Sequence, residues 1–405
     1  MRTDFLPLIF AGDINVYSVA RAFHEEYGII PDAYGKYPAW PCTGSRILNY
    51  TPNPGADVYD VFLELVKKFA GSHADKKIIL IGCGDNYVQL ISRSIPELPE
   101  NVIAPYVGID ELNRYINKEK FYEMCEEAGI DYPETFVHRK EMGADFSLPF
   151  PGPYIIKPSN GIEYWKYPFP TQKKVFKADS WDEMQKIIGD IYLAGYGDSL
   201  IIQNFIPGDD SYMRVLTNYS DKEGIVRMMC LGHVLLEEHT PHGIGNHAVI
   251  ITEHNSELEN KIKTFLEGIK YTGFSNFDIK YDRRDGKFKV FELNARQGRS
   301  NYYVTNAGEN VARCLVDDYI DNKSDGCRIV TKESLWLVIP KKVAFDYVAN
   351  EEYKARMKEL IREGNYVNPL SYSEDGGFIR KLRFLRSQWS HYYKYKKYLG
   401  KNQGE

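Results

Sequence analysis

The chain has 405 residues and a formal net charge of −5, with 43% hydrophobic and 26% charged residues. That length fits two or three packed domains, and the composition argues against a disordered or membrane-embedded chain. The near balance of 51 Lys+Arg against 56 Asp+Glu gives no general basis for nucleic acid as a partner. Six dispersed cysteines without a C-x-x-C pair argue against a disulfide scaffold or a thiolate zinc site, so a reducing, cytoplasmic setting is expected.

Residues 5–12 form an apolar run between Asp4 and Asp13. It fits a buried strand better than a signal peptide, with Pro7 expected near the start or at an edge. No run approaches the roughly 18 apolar residues needed to span a bilayer. Val16, Val19, Ala20 and Phe23 share one helix face ending at Gly28, and Val61, Phe62, Leu65, Val66 and Phe69 repeat the pattern up to Gly71. Strands are expected at 77–81, running into Gly82-Cys83-Gly84-Asp85, and at 102–107. Strands alternating with helices predict a parallel sheet covered on both faces.

A helix is expected over 111–128, stopped by Gly129 with Pro133 just beyond. Strands follow at 154–157, 174–178, 200–205, 213–217, 225–235, 248–252, 273–281 and 287–294. Among them lie a helix opened by a capping box of Ser180 and Glu183, and another over 257–270. The mixture predicts an α+β unit, closed by a helix near 307–320. After 321–326 comes a tail whose residues 376–405 hold eight Lys+Arg and one acid, a net +7, leaving −12 on the first 375 residues. Phe378, Phe384, Trp389, Tyr392, Tyr393, Tyr395 and Tyr398 interleave those cations. Two readings stay open: contact with an anionic membrane face or a nucleotide-sugar precursor, or a helix capping the acidic body.

The densest chemical signal is the pair of runs 274–281 and 289–296, joined by the turn 282–286 as a hairpin. Alternation puts Glu292, Asn294 and Arg296 on one face of their strand, and Asn276, Asp278 and Lys280 on one face of the other. If those faces meet, Asp278, Glu292 and Asn294 present hard oxygens suited to magnesium, with phosphate oxygens completing the shell. Cross-strand ion pairs on a solvated face are the alternative, although a neutral Asn294 adds little to an ion pair. Lys157 closes a strand before Pro158-Ser159-Asn160-Gly161 and can aim at a phosphate held by the loop amides; Lys118 lies on the helix that buries Leu112, Ile116 and Phe121. Either lysine alone also reads as a surface residue. No Walker A sequence is present. Gly243-x-Gly245-x-x-Ala248 runs into a strand and fails as a dinucleotide fingerprint. His239, His242 and His247 share a loop without the spacing of a zinc site.

Taken in order, Asn117-Lys118, Ile156-Lys157-Pro158, the segment 202–210, Asp278 and Glu292-x-Asn294-x-Arg296 resemble the ATP-grasp superfamily. The phrases 12–17, 20–24, 228–234, 245–249 and 294–300 narrow the resemblance to its carboxylate–amine ligase branch, and to the D-aspartate ligases that build peptidoglycan cross-bridges. The resemblance implies an α/β plus α+β fold: an N-terminal parallel α/β domain (1–115), an ATP-grasp domain of two α+β lobes clasping ATP (116–325, divided near 200/201), and a basic, aromatic C-terminal extension (326–405). It implies ATP and two Mg2+ ions as cofactors. Lys118, Lys157 and Ser159 are then expected at the phosphates, with Lys157 and Arg296 the catalytic residues. Gln203, Asn204, Phe205 and Ile206 are expected at the adenine, Asp210 at the ribose, and Asp278, Glu292 and Asn294 at the metal. The chain departs from the pattern in having one glycine, Gly161, in its phosphate loop and Gln203 where glutamate is more usual.

The activity implied is formation of an amide from a carboxylate and an amine through an acyl phosphate, with D-aspartate and the lysine amine of a peptidoglycan precursor as substrates. Arg299, Ser300 and His247 are candidates to bind substrate. Open α/β sheets bind ligands at their strand ends, which adds Asp13, Asn15, Gly84 and Asp85, although both aspartates also suit a turn or N-cap role. A ligase for another acid and amine, or a nucleotide-binding protein without catalysis, are the alternatives. The oligomeric state is left open.

Overall fold

The computed structural model describes residues 2–240, 243–323 and 325–400; His242 and the last five residues of the basic tail, 401–405, lie outside them. The chain forms two compact units that cut across sequence order. Unit one is drawn from Met1–Ile109, Asp209–Asn276 and Asn294–Glu405, unit two from Asp110–Gly208 and Phe277–Leu293. The expected second lobe, 201–325, thus contributes to both.

Unit one opens with a five-stranded parallel sheet: β1 (Phe5–Phe10), β2 (Asp32–Gly35), β3 (Asn49–Pro52), β4 (Lys77–Gly82) and β5 (Val102–Ile103), in the order β3-β2-β1-β4-β5. The apolar runs of β1 and β4 are buried on both faces, packed against Val16, Ala20 and Phe23 of helix Ile14–Tyr27 and Phe62 and Val66 of helix Tyr59–Ser72. Pro7 lies near the start of a central strand, the first of its two expected placements and not the edge. Pairing with β2 begins one residue later, at Leu8↔Asp32, so the missing N–H interrupts no ladder bond. The strand expected over 102–107 pairs only at Val102–Ile103.

Unit two holds an antiparallel four-stranded sheet, β6 (Thr135–His138), β7 (Tyr154–Pro158), β8 (Phe176–Ala178) and β9 (Leu200–Asn204), ordered β6-β9-β7-β8. Helix Trp181–Leu193 covers it with Met184, Ile188 and Ile191. Only half of the expected capping box forms: the Ser180 side chain accepts from the Glu183 amide, but the Glu183 carboxylate takes the Asp179 amide at 2.9 Å. The helix expected over 111–128 is two, Ile109–Ile116 and Lys118–Glu127, because Asn117 turns out of the helix and caps the second through the Lys120 amide.

The third sheet is formed by β10 (Met213–Ser220), β11 (Val226–Glu237), β12 (His247–Glu253), β13 (Gly273–Asp282), β14 (Lys287–Asn294), β15 (Arg328–Ile329), β16 (Leu335–Leu337) and β17 (Tyr366–Val367). Its order is β14-β13-β10-β11-β12-β16-β17, with β15 on β11. The β13–β14 hairpin starts and ends in unit one and carries its turn in unit two. The helix expected near 307–320 is Val311–Tyr319, starting four residues later because Gly308 takes φ +115° and Asn310 caps it; a short helix, Tyr302–Asn306, precedes it.

The basic tail ends in a 21-residue helix, Phe378–Tyr398. Its inner face is anchored: Arg380 pairs with buried Asp375 at 2.6 Å and lies over the Tyr17 ring, Gln388 donates to the Val338 carbonyl, and Tyr395 donates to that of Glu237. The capping-helix reading accounts for that face. Phe378, Ile379, Leu382, Leu385, Trp389 and Tyr393 remain exposed on the helix. Among the described residues no helix is long and apolar enough to cross a membrane.

Candidate active site

In unit two, Lys157 closes the buried strand β7. Its Nζ lies 3.4 Å from Tyr122 Oη and over the Phe291 ring, while Tyr122 donates to the Phe291 carbonyl at 2.7 Å. Burial, reinforced by repulsion from Lys118, pulls the Lys157 ammonium from 10.5 down to about 7. Lys118 begins helix Lys118–Glu127, its amide donating to the Ser159 carbonyl and its Nζ pairing with Glu292 at 3.0 Å. Lys174 approaches the same carboxylate at 3.8 Å. Lys118 first, then Lys174 and Lys157, hold the Glu292 carboxyl well below the usual carboxylate range against its burial. Glu292 and Asp278 are also the anions that favour the charged form of Lys157.

Three lysines around these two carboxylates suit a polyanion such as a phosphate chain. The oxygens of Asp278 and Glu292, with the Asn294 amide two residues along β14, are hard donors of the kind magnesium takes. Asn294 Nδ2 donates to the Asn276 carbonyl at 3.3 Å. No group of three or more His, Cys, Asp or Glu gathers as for a metal ion among the described residues. Magnesium usually takes only one or two carboxylates from a protein and completes its shell with phosphate and water oxygens.

The segment expected at the adenine follows β9. Gln203 is buried and donates to Thr135 Oγ1 at 2.8 Å; Asn204 donates its side-chain amide to the Pro151 carbonyl and accepts from Arg284. The backbone amides of Asn204 and Phe205 donate to the carbonyls of Glu134 and Pro153. Those two amides are therefore already engaged within unit two. Ser159 is buried with Oγ 3.3 Å from Tyr196 Oη, and its amide donates to the Ser199 carbonyl.

In unit one, a second cluster gathers at the C-terminal ends of β1 and β4, as open parallel sheets favour. Asp13 caps helix Ile14–Tyr27, accepting from the Asn15 and Val16 amides. Desolvation raises its carboxyl despite nearby Arg299. Gly84 caps helix Asp85–Ser94, and Asp85 binds Arg296 Nε at 2.6 Å. Asn15 donates to the Cys83 carbonyl and accepts from Asn301 at 2.8 Å, and Gln297 reaches Cys83 Sγ at 3.2 Å. These bonds hold segment 294–301 on the two loops. The segment passes so close to β13 that a Cβ on Gly298 would stand 2.6 Å from Asn276 Oδ1. Arg299 faces Glu238 at 3.4 Å, and His247 Nδ1 lies 3.4 Å from Ser300 Oγ. Burial and the Arg299 charge lower His247 to about 4, so it is neutral near pH 7.

Unit one thus brings together Asp13, Asn15, Gly84, Asp85, His247, Arg296, Arg299 and Ser300, and unit two brings together Lys118, Lys157 and Glu292. Asp210, expected at a ribose, belongs to unit one and accepts from the Glu237 amide at 2.8 Å and from His239 at 2.7 Å. Sequence reasoning overlooked Tyr122, Lys174, Glu238, Gln297 and Asn301. Gln297 lay inside the quoted phrase 294–300, but nothing local marked the other four.

No family model matches the chain. A D-aspartate ligase of Enterococcus faecium (strain Aus0004) is 42% identical over 413 residues, covering 99% of this chain and 98% of that protein. The N5-carboxyaminoimidazole synthetase of Staphylococcus aureus complexed with ADP is 11% identical, covers 99% of each chain and superposes with a TM-score of 0.62. The biotin carboxylase domain of the Hydrogenobacter thermophilus 2-oxoglutarate carboxylase, in complex with MgADP, ADP and bicarbonate, is 15% identical, covers 82% of this chain and 74% of that one, and gives 0.61. The architecture is that of the ATP-grasp fold, and the protein is an ATP-dependent carbon–nitrogen ligase of the carboxylate–amine class. Within that class, the near full-length identity is decisive: the chain belongs to the D-aspartate ligase family.

Proposed function

We propose that the protein joins D-aspartate to the side-chain amine of a lysine in a peptidoglycan precursor, with hydrolysis of ATP to ADP and phosphate. The carrying observation is the 42% identity to a D-aspartate ligase across the whole chain. A carboxylate is a poor acyl donor because its oxygen leaves badly. Transfer of the γ-phosphoryl group to it gives an acyl phosphate, and attack by the amine then expels phosphate and leaves the amide.

Such a reaction asks mainly for positioning and charge neutralisation. Lys118 and Lys157 hold the phosphates, and Lys157, held near half-protonation, gains a full charge as the polyanion approaches. Asp278, Glu292 and Asn294 would hold magnesium, in two ions, and the metal would supply charge neutralisation at the phosphate oxygens. Arg296 stabilises charge at the reacting carboxylate, with Asp85 fixing its guanidinium plane until substrate arrives. Arg299, Ser300, His247 and the Asp13–Asn15 loop bind the amino acid. The exposed apolar side chains of the C-terminal helix, flanked by Lys381, Arg386, Lys396 and Lys397, favour peripheral contact with an anionic bilayer.

ADP release measured with ATP, Mg2+, single amino acids and a lysine-containing cell-wall precursor tests the reading. Turnover that requires both D-aspartate and the precursor is expected. If no acid and amine pair releases ADP while nucleotide still binds, the ligase reading is lost.

A further inference from the structure

Beneath the C-terminal helix, unit one carries a cleft of about 420 Å³ that is open to solvent on one side. Ser387, His391 and Lys394 of that helix line it at i, i+4 and i+7, one face of its turns. Opposite them stand Asp13, Glu238 and Arg299. Two nitrogens on this lining are buried without a hydrogen-bond partner among the described residues: Arg299 Nη1 and His391 Nδ1. Buried polar atoms are nearly always satisfied, so an orphaned pair on one cleft marks a place for polar atoms from outside the chain, acceptors at Arg299 Nη1 and, in the Nδ1–H tautomer, at His391. Burial, with Lys394 and Arg299 adding to it, lowers His391 to about 4, so its ring is neutral and offers a single N–H.

The lining carries two cations, Arg299 and Lys394, and two anions, Asp13 and Glu238. Arg299 meets Glu238 through Nη2 at 3.4 Å, leaving Nη1 for a ligand. Balanced charge of this kind suits a zwitterion, with a carboxylate at Arg299, His391 and Lys394 and an ammonium toward Asp13. A simple anion would leave Asp13 and Glu238 opposing it.

We infer that this cleft binds the non-reacting carboxylate and the ammonium of the amino-acid substrate, and that His391 and Lys394 of the C-terminal helix are specificity-determining residues. The inference rests on the ligase reading above. It gives the basic tail a role on its inner face that neither a membrane contact nor a simple capping helix would require.

The test uses the full chain and two readouts: calorimetric binding of amino acids in the presence of Mg2+ and ADP, and ADP release. The probes are D-aspartate, D-alanine and β-alanine; the last two each lack one of aspartate's carboxylates. The expected result is that wild type binds D-aspartate at least about tenfold more tightly than whichever of the two lacks the non-reacting carboxylate. In Lys394→Met and His391→Phe that preference should fall below about threefold, with Lys394→Arg recovering part of it. Lys396→Met, which removes a charge from the exposed face of the same helix, should keep the wild-type preference. Far-ultraviolet dichroism and melting confirm that each variant is folded.

A wild-type preference unchanged in both cleft variants overturns the inference while leaving the ligase reading intact. Absence of amino-acid binding to wild type also overturns it. Binding that responds to the variants without any ADP release keeps the inference and removes the ligase reading.

Discussion

Lys157 is the group whose environment makes the most quantitative demand. Burial and the neighbouring Lys118 take its ammonium from 10.5 to about 7. At pH 8 such a group is only about 10% protonated. A phosphate chain placed against it favours the charged form and returns the ammonium toward its ordinary range. ATP binding at pH 8 should therefore take up about 0.9 proton per site, and affinity should fall about tenfold per pH unit above 8 until the bound form itself titrates.

Calorimetry in two buffers of different ionisation enthalpy reads the uptake directly, and Lys157→Met should abolish it. The same shift has a sign for stability. Between about pH 7 and 10.5 the unfolded chain binds a proton here that the folded chain does not, so the buried lysine opposes folding, increasingly as pH falls to 7 and constantly below. In the absence of nucleotide, Lys157→Met should raise stability at pH 7 by on the order of 4 kcal/mol, measured by urea unfolding, while weakening ATP binding. Proton uptake that persists in Lys157→Met, or that is absent from wild type, would refute this account of the site.

Glu292→Ala removes the carboxylate shared by Lys118 and Lys174. ADP release should fall by at least about 100-fold with the fold retained, and near-normal turnover would dismiss Glu292 as a metal ligand. Gly298→Ala should destabilise by about 1–3 kcal/mol, because its Cβ would displace Asn276 from its bond to Thr217 Oγ1; an unchanged thermal midpoint would show that the strand yields freely. Phe378 and Trp389 are 79% and 78% exposed, so replacing both with serine should change stability by less than about 1 kcal/mol yet reduce co-sedimentation with phosphatidylglycerol vesicles. Sedimentation that is equal with neutral vesicles, or undiminished in the double variant, would exclude the bilayer contact.

Much of the architecture was legible in the chain because it depends on near neighbours. Apolar spacing marked helix Ile14–Tyr27 and strands β1, β4, β7 and β11–β14, and Asp282 to Gly286 marked a turn. The order Lys118, Lys157, Asp278, Glu292, Asn294, Arg296 in the chain points by itself to phosphate chemistry. Side-chain capping already defeated periodicity at one helix, where Asn117 offered the backbone a competing hydrogen bond, and at another Asn310 moved the start. Pro7 left two placements open, because whether a missing N–H matters depends on where the adjacent strand begins, which no window around Pro7 contains.

The electrostatic character of the site was decided only by tertiary packing. Lys174, Lys118 and Glu292 come from separate segments, and the low pKa of Lys157 arises from burial and from charges brought next to it by folding. Likewise, the C-terminal helix reads in sequence as one basic, aromatic stretch. Its packing against unit one buries His391 beside Arg299 and leaves Trp389 in solvent. Sequence set the periodicities and the inventory of charges, because local sterics and side-chain direction act over a few residues. Which charges lose their water, and which meet, is settled by long-range packing, and the strength of every ionic interaction here follows from that loss of water.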